Sequence, residues 1–225
     1  MSDLSGWGGC ARPPKASLVG RWVRLEPLDP ARHADALWSA HVGTDVAATY
    51  RYMPYGPFDD RASYGAHLAK QAADPSDLYF ALVTAERGAA GVASLMSIEP
   101  AHGVAEVGHI CLAPSIRRTP AATEMVALIG QLLFDRLGYR RFEWKCDNAN
   151  KASKAAARRF GFREEGVFRH HRVVKQRNRD TAWFSMVRDE WPERRAAFER
   201  WLAPENFDHD GQQKMRLNGP LRAMR

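Results

Sequence analysis

The chain has 225 residues, 45% of them apolar, enough for one large or two small domains, and one well-buried core is expected. Its net charge of +7 is uneven: residues 1–112 hold 9 Lys/Arg against 12 Asp/Glu, whereas residues 113–225 hold 24 against 14, so attraction to an anion belongs to the second half. Cys10, Cys111 and Cys146 are far apart and lack metal-ligand spacing, and no basic leader or membrane-length apolar run is present; a disulfide framework, a metal site, a signal peptide and a membrane partner are not indicated, and a reducing cytoplasm is the expected compartment.

Residues 1–17 hold several Gly, a Pro pair and no periodicity, and read as a flexible N-terminal arm. Residues 18–28 alternate loosely and predict a first strand. Asp29 and Pro30 suit the cap and first position of a helix to about His41. Residues 42–58, rich in Tyr, Pro and Gly, predict a long loop of the kind that is often functional. Asp59 or Asp60 caps a second helix to about Ala73. Strands are predicted over 79–85, 90–98 and 104–112, with turns at Arg87-Gly88 and 100–103. A helix over 120–137 puts Met125, Leu128, Ile129, Leu132, Leu133 and Leu137 on one face and ends at Gly138. There follow a strand over 140–146, a short helix over 151–160 stopped by Gly161, strands over 167–174 and 182–187, and a helix over 191–202. One domain over 18–203 with a polar tail over 204–225 results.

Two helix starts carry the functional signal. Thr119 is a good N-cap and Pro120 a good first helical residue, so the amides of Ala121 and Ala122 stay unpaired beside Arg117 and Arg118. Backbone N–H groups, the helix dipole and guanidinium groups converge there, as a pyrophosphate requires. The plainer reading is a capped helix with solvated arginines. Asn150 caps the second helix, and Ser153 falls in its first turn; there too a simple polar start remains open.

In this order the parts resemble the GNAT superfamily of acyl-CoA-dependent N-acyltransferases and, within it, the RimJ/RimL-like branch. Residues 105–110 are similar to the family's fourth strand. Arg117 to Ala122 sits where the family has its pyrophosphate loop. Ala122-Thr123-Glu124 matches the opening of the following helix, Asn150-x-x-Ser153 an Asn-x-x-Ser motif, and Gly161-Phe162 with Glu165-Gly166 a frequent ending. The resemblance covers residues 18–187. It departs from the family where two loop glycines fall at Arg118 and Pro120; Pro120 has no N–H to give, so a modified loop is expected to hold the cofactor.

The resemblance implies an α/β (α+β) fold: a mixed, mostly antiparallel sheet of about seven strands, flanked by helices and splayed between the fourth and fifth. It implies an N-acetyltransferase moving acetyl from acetyl-CoA to a primary amine, on a small molecule or a peptide N-terminus, by direct attack. Acetyl-CoA is held by the main chain of Ile110, Cys111 and Leu112 and by Arg117, Arg118, Thr119, Ala121, Ala122, Thr123, Asn150 and Ser153. Glu106 is the candidate base, the alternative being a strand-face carboxylate that orients substrate or pairs with Arg, and it also lines the acceptor site with Tyr50, Tyr52 and Tyr55. Ser153 is the candidate proton donor to the departing thiolate. Cys111 offers a covalent route but no convincing His partner, and His109 is a lesser base candidate. A homodimer is left open. The competing readings are a nucleic-acid-binding protein using its Arg-rich segment over 158–179, although nucleic acid is not the expected partner, and an inactive acyl-CoA sensor on the same fold.

Overall fold

A computed structural model of the protein describes residues 3–41 and 46–218; residues 42–45 of the expected loop and 219–225 of the expected tail lie outside them. Eight strands form one sheet: β1 (Leu18–Val19), β2 (Arg24–Pro27), β3 (Leu78–Thr84), β4 (Gly88–Glu99), β5 (Val104–Leu112), β6 (Arg141–Asp147), β7 (Arg163–Val174) and β8 (Arg177–Val187). Their order is β1-β2-β3-β4-β5-β6-β8-β7, antiparallel except for β5 with β6. The mixed, mostly antiparallel sheet is as expected, with one more strand. The strand predicted over 18–28 is two, because the Glu124 carboxylate accepts the amides of Arg21, Trp22 and Val23 at 2.9, 2.6 and 2.8 Å. Three amides bound to one buried carboxylate cannot enter a ladder. Gly20 is required beside it, since a Cβ there would lie 2.3 Å from that carboxylate.

The splay follows from register. β5 pairs with β6 only from Val104↔Arg141 to Val107↔Trp144, so Gly108 to Leu112 has no strand partner on that side. Against β4, the pairs Ser94↔Gly108 and Val92↔Cys111 leave His109 and Ile110 opposite the single residue Ala93. This is a β-bulge, and His109 takes the left-handed φ of 50° that it needs. Bulge and splay coincide, which opens the sheet at the end of β5.

Helices α1 (Pro30–His41), α2 (Val46–Tyr50), α3 (Arg61–Ala72), α4 (Pro120–Gly130), α5 (Lys151–Arg159) and α6 (Trp191–Leu202) flank the sheet. On one face α4, α5 and α6 cover Ala105, Val107, Phe142, Trp144, Phe184 and Met186. On the other, α1 and α3 cover Tyr79, Ala81 and Val92. Asp60 caps α3 through a capping box with Ser63. The predicted helix over 120–137 is α up to Gly130 and then a π-helical turn over Gln131–Arg136, with Gly138 left-handed at its end. That widened turn begins where Trp191 packs within 2.6 Å of a Gly130 Cβ position. In the segment expected as a flexible arm, the described residues 3–17 have no helix or strand, yet they are fastened. The Trp7 indole donates to Ala101 O at 2.8 Å, and the Cys10 amide to Pro100 O at 2.9 Å. The tail also docks: Phe207 packs on Trp22 and Trp201, and Leu217 is buried. No helix among the described residues is long and apolar enough to cross a membrane.

Candidate active site

The α4 start keeps its amides open. Thr119 occupies the N-cap position, but its hydroxyl donates to Ile116 O at 2.8 Å and makes no cap bond. Helix geometry gives the Ala121 and Ala122 amides no internal acceptor. Arg118, where a family glycine is expected, adopts φ 60° and so takes the glycine's left-handed conformation itself. Its side chain is exposed. Arg117 does not join it. Its Nε donates to Leu112 O at 2.8 Å and its Nη2 to Thr49 Oγ1 at 2.9 Å, bracing the end of β5 against α2. The side chain of Thr123 is also committed, accepting from Arg159 at 3.0 Å. Of the residues expected around a pyrophosphate, the amides after Pro120 and Arg118 are therefore free to bind, whereas the Arg117 and Thr123 side chains are structural.

The α5 start is closed. The Asn150 carboxamide accepts the Ser153 amide at 3.0 Å, and the Ser153 hydroxyl accepts the Trp144 indole N–H at 2.9 Å. The Ser153 hydroxyl also hydrogen-bonds the Cys146 thiol, which burial raises. Tyr52 donates to Ala149 O at 3.1 Å and Lys175 to Tyr50 O at 3.0 Å. The 46–58 segment thereby straps three turns that border the splay.

Glu106 lies beside the splay on the face away from α4. Lys145 bridges it to Glu143 at 2.9 and 2.8 Å, and Ser97 donates to it at 3.3 Å. Burial raises the Glu106 carboxyl above its ordinary range, with Lys145 opposing. Lys145 sits 3.9 Å over the Trp183 ring. Ser97 and Glu99 line an adjoining cleft of ≈ 550 Å³ with Arg12 and Asp77. The Tyr55 ring stacks on His109 at 5.6 Å and meets the tilted His67 ring at 4.1 Å. Burial pulls the His67 imidazole down to about 4 and also lowers His109. Tyr50 is buried beneath this cluster, in edge contact with Tyr55 and Phe58, so it supports the site and does not line it.

Sequence reasoning missed a histidine. Cys111 has a partner after all, in His41 Nε2 at 3.7 Å. The other ring nitrogen, Nδ1, must carry its proton, because Leu37 O at 2.7 Å can only accept. The pair is not activated: burial raises the thiol to about 11 and lowers His41. His67, Gln71, Lys145, Arg179 and Trp183 were also passed over. Alternation about Trp144 could have flagged Lys145. Among the described residues no group of His, Cys, Asp or Glu could hold a metal ion.

An open helix start, a bulged strand edge and a buried carboxylate on one splayed sheet invite comparison with known proteins. The family model described as an acetyltransferase (GNAT) domain matches residues 23–163. A GCN5-related N-acetyltransferase from Brucella melitensis is 47% identical, with a TM-score of 0.93 over 95% of this chain and 97% of that one. The chain belongs to the GNAT acetyltransferase family. A probable GNAT acetyltransferase from Chromobacterium violaceum is 41% identical over 85% of this chain and 96% of that one, TM-score 0.78. A putative acetyltransferase from T. thermophilus is 29% identical over 84% and 97%, TM-score 0.75. No curated protein matches the sequence. Membership implies acetyl transfer from acetyl-CoA, and the uncapped α4 start suits the coenzyme's pyrophosphate on this structure's own terms.

Proposed function

We propose that this GNAT protein is an N-acetyltransferase of the RimJ/RimL-like branch, working in the reducing cytoplasm on a primary amine by direct attack. The observation that carries the reading is the splay. It puts the open α4 amides at one end of an unpaired β5 edge and a raised carboxylate, Glu106, beside the other. Acetyl-CoA supplies the thioester. The α4 amides and Arg118 hold its diphosphate, and the main chain of Ile110, Cys111 and Leu112 lies along the pantetheine arm. An amide on this edge polarises the carbonyl. Glu106 takes the proton of the attacking amine, directly or through water, and the Ser153 hydroxyl gives one to the departing sulfur. Direct attack is favoured over an acyl-enzyme because Cys111 is a neutral, buried thiol.

Glu106→Gln tests this. Turnover should fall about 100- to 1000-fold, with acetyl-CoA affinity by calorimetry unchanged. The wild-type kcat/KM should decline as pH falls through a value above the usual carboxylate range, because the base must be ionised and burial raises it. The stability sign is opposite. A raised folded value favours the fold below the unfolded value, and that support fades as pH rises through the folded value. Tight acetyl-CoA binding without thiol release across an amine panel would leave an inactive sensor.

A further inference from the structure

Glu106 and Glu143 are register partners on the parallel strands β5 and β6, so two buried carboxylates stand side by side. Like charges directly opposite one another destabilise a sheet, and burial strengthens the repulsion. Lys145 answers it. Two positions after Glu143 it stands on the same face, and its Nζ reaches Glu106 Oε2 at 2.9 Å and Glu143 Oε2 at 2.8 Å. The Trp183 ring, 3.9 Å away, backs this cation. Glu143 is held on its other oxygen by Arg141 Nε at 2.7 Å, and Arg141 in turn pairs with Glu165. In this row the carboxylates of Glu106, Glu143 and Glu165 face only the cations of Lys145 and Arg141, which leaves one surplus negative charge. The two oxygens of Glu106 are not alike. Lys145 and the Ser97 hydroxyl, at 3.3 Å, both contact Oε2. A second bulge brings Ser97 there: Met96↔Glu106 and Glu99↔Val104 leave Ser97 and Ile98 opposite Ala105, and Ser97 turns through φ 47°. Oε1 instead stands 3.8 Å from where a Cβ on Gly108 would be, at the start of the unpaired β5 edge.

We propose that Lys145 is a positioning residue for the base: with Ser97 it anchors Glu106 by Oε2, leaves Oε1 to the incoming amine, and stays paired through Glu143 once Glu106 takes the proton. In that step the N–H bond of the amine breaks and an O–H bond forms on Oε1, directly or through water. The row then becomes neutral, and no buried cation is stranded, because Glu143 keeps Lys145. The inference rests on Glu106 as the base. The charges facing Glu106 come from Lys145 and Glu143 on β6 and from Asp77 ahead of β3, while Ser97 on β4 is neutral.

The test follows two midpoints in the full-length protein: the acid limb of kcat/KM, and the titration of the Glu106 carboxyl by carboxyl-carbon NMR without substrates. Lys145→Met should move both midpoints up by about one to three pH units, because an opposite charge beside the carboxylate is lost. Glu143→Gln should move both down, because a like charge is lost while Lys145 stays. Lys145→Arg keeps the charge and should bring both back towards wild type. A lysine that merely packs β6 gives no such opposed shifts. Unmoved midpoints, or shifts of one sign in Lys145→Met and Glu143→Gln, overturn the positioning role. Should Lys145→Met fail to fold, the downward shift in Glu143→Gln decides alone. Titrations that shift as stated while Glu106→Gln keeps wild-type turnover would leave the anchor standing and remove Glu106 from the reaction. Unmoved titrations with an inactive Glu106→Gln would keep the base and overturn the anchor.

Discussion

At the start of α5 the Asn150 carboxamide accepts the Ser153 amide at 3.0 Å, whereas at the start of α4 the Thr119 hydroxyl turns away to the Ile116 carbonyl at 2.8 Å. Both positions carry good capping residues. What separates them is the chain leading in. The loop before α4 passes through a left-handed Arg118, and a 3-10 turn over Pro114–Ile116 brings a carbonyl under Thr119. The loop before α5 has no such competitor. One start thus satisfies its own amides and serves the fold, while the other leaves them without a side-chain cap. A cap-forming residue is a donor or acceptor with choices, and the neighbouring backbone decides which it takes.

Thr119→Asp should break the contrast most strongly. A carboxylate at that N-cap would accept the first-turn amides and complement the helix dipole, raising stability by about 1 kcal/mol. It would also occupy and repel the site of the diphosphate, weakening acetyl-CoA binding about 30-fold. Thermal unfolding and calorimetry on one preparation read both. A higher melting temperature with unchanged affinity would show that the coenzyme does not use the α4 start. Asn150→Ala is the matched control, costing about 1 kcal/mol of stability with little change in affinity.

Ser153→Ala sharpens the other half. Removing the hydroxyl leaves the buried Trp144 indole N–H without its acceptor, a loss of about 1–3 kcal/mol. If the same hydroxyl protonates the leaving sulfur, turnover should also fall about tenfold at constant acetyl-CoA affinity. Lower stability with undiminished kcat would make Ser153 a support for Trp144 and nothing more.

The strands of the meander, the helix caps and the order of parts were legible because each is written within a few residues. The rest depends on partners far along the chain. Glu124 divides the first strand from about a hundred positions away, which no local alternation reveals. The bulge at His109 exists only through the register of β5 on β4. Arg117 reads like a phosphate ligand until Leu112 O and Thr49 come within reach. His41 meets Cys111 across 70 positions. The two helix starts can be read from the sequence because segment order is local. Whether a given side chain there is free or engaged cannot, because side-chain partnership is tertiary.

Arg118→Gly probes the smallest difference between the two starts. At φ 60° an arginine bears a left-handed cost of about 1–2 kcal/mol that glycine escapes, against a conformational-entropy cost for glycine of about 0.5–1 kcal/mol. The net gain in stability should be about 0.5 kcal/mol. Affinity should move the other way, weakening about threefold with the loss of one exposed guanidinium near the diphosphate. Opposite shifts in melting temperature and acetyl-CoA affinity would mean that arginine keeps the glycine's shape and adds a charge. Tighter binding in the glycine variant would instead show that close backbone approach, and not the cation, limits how well the α4 start holds the coenzyme.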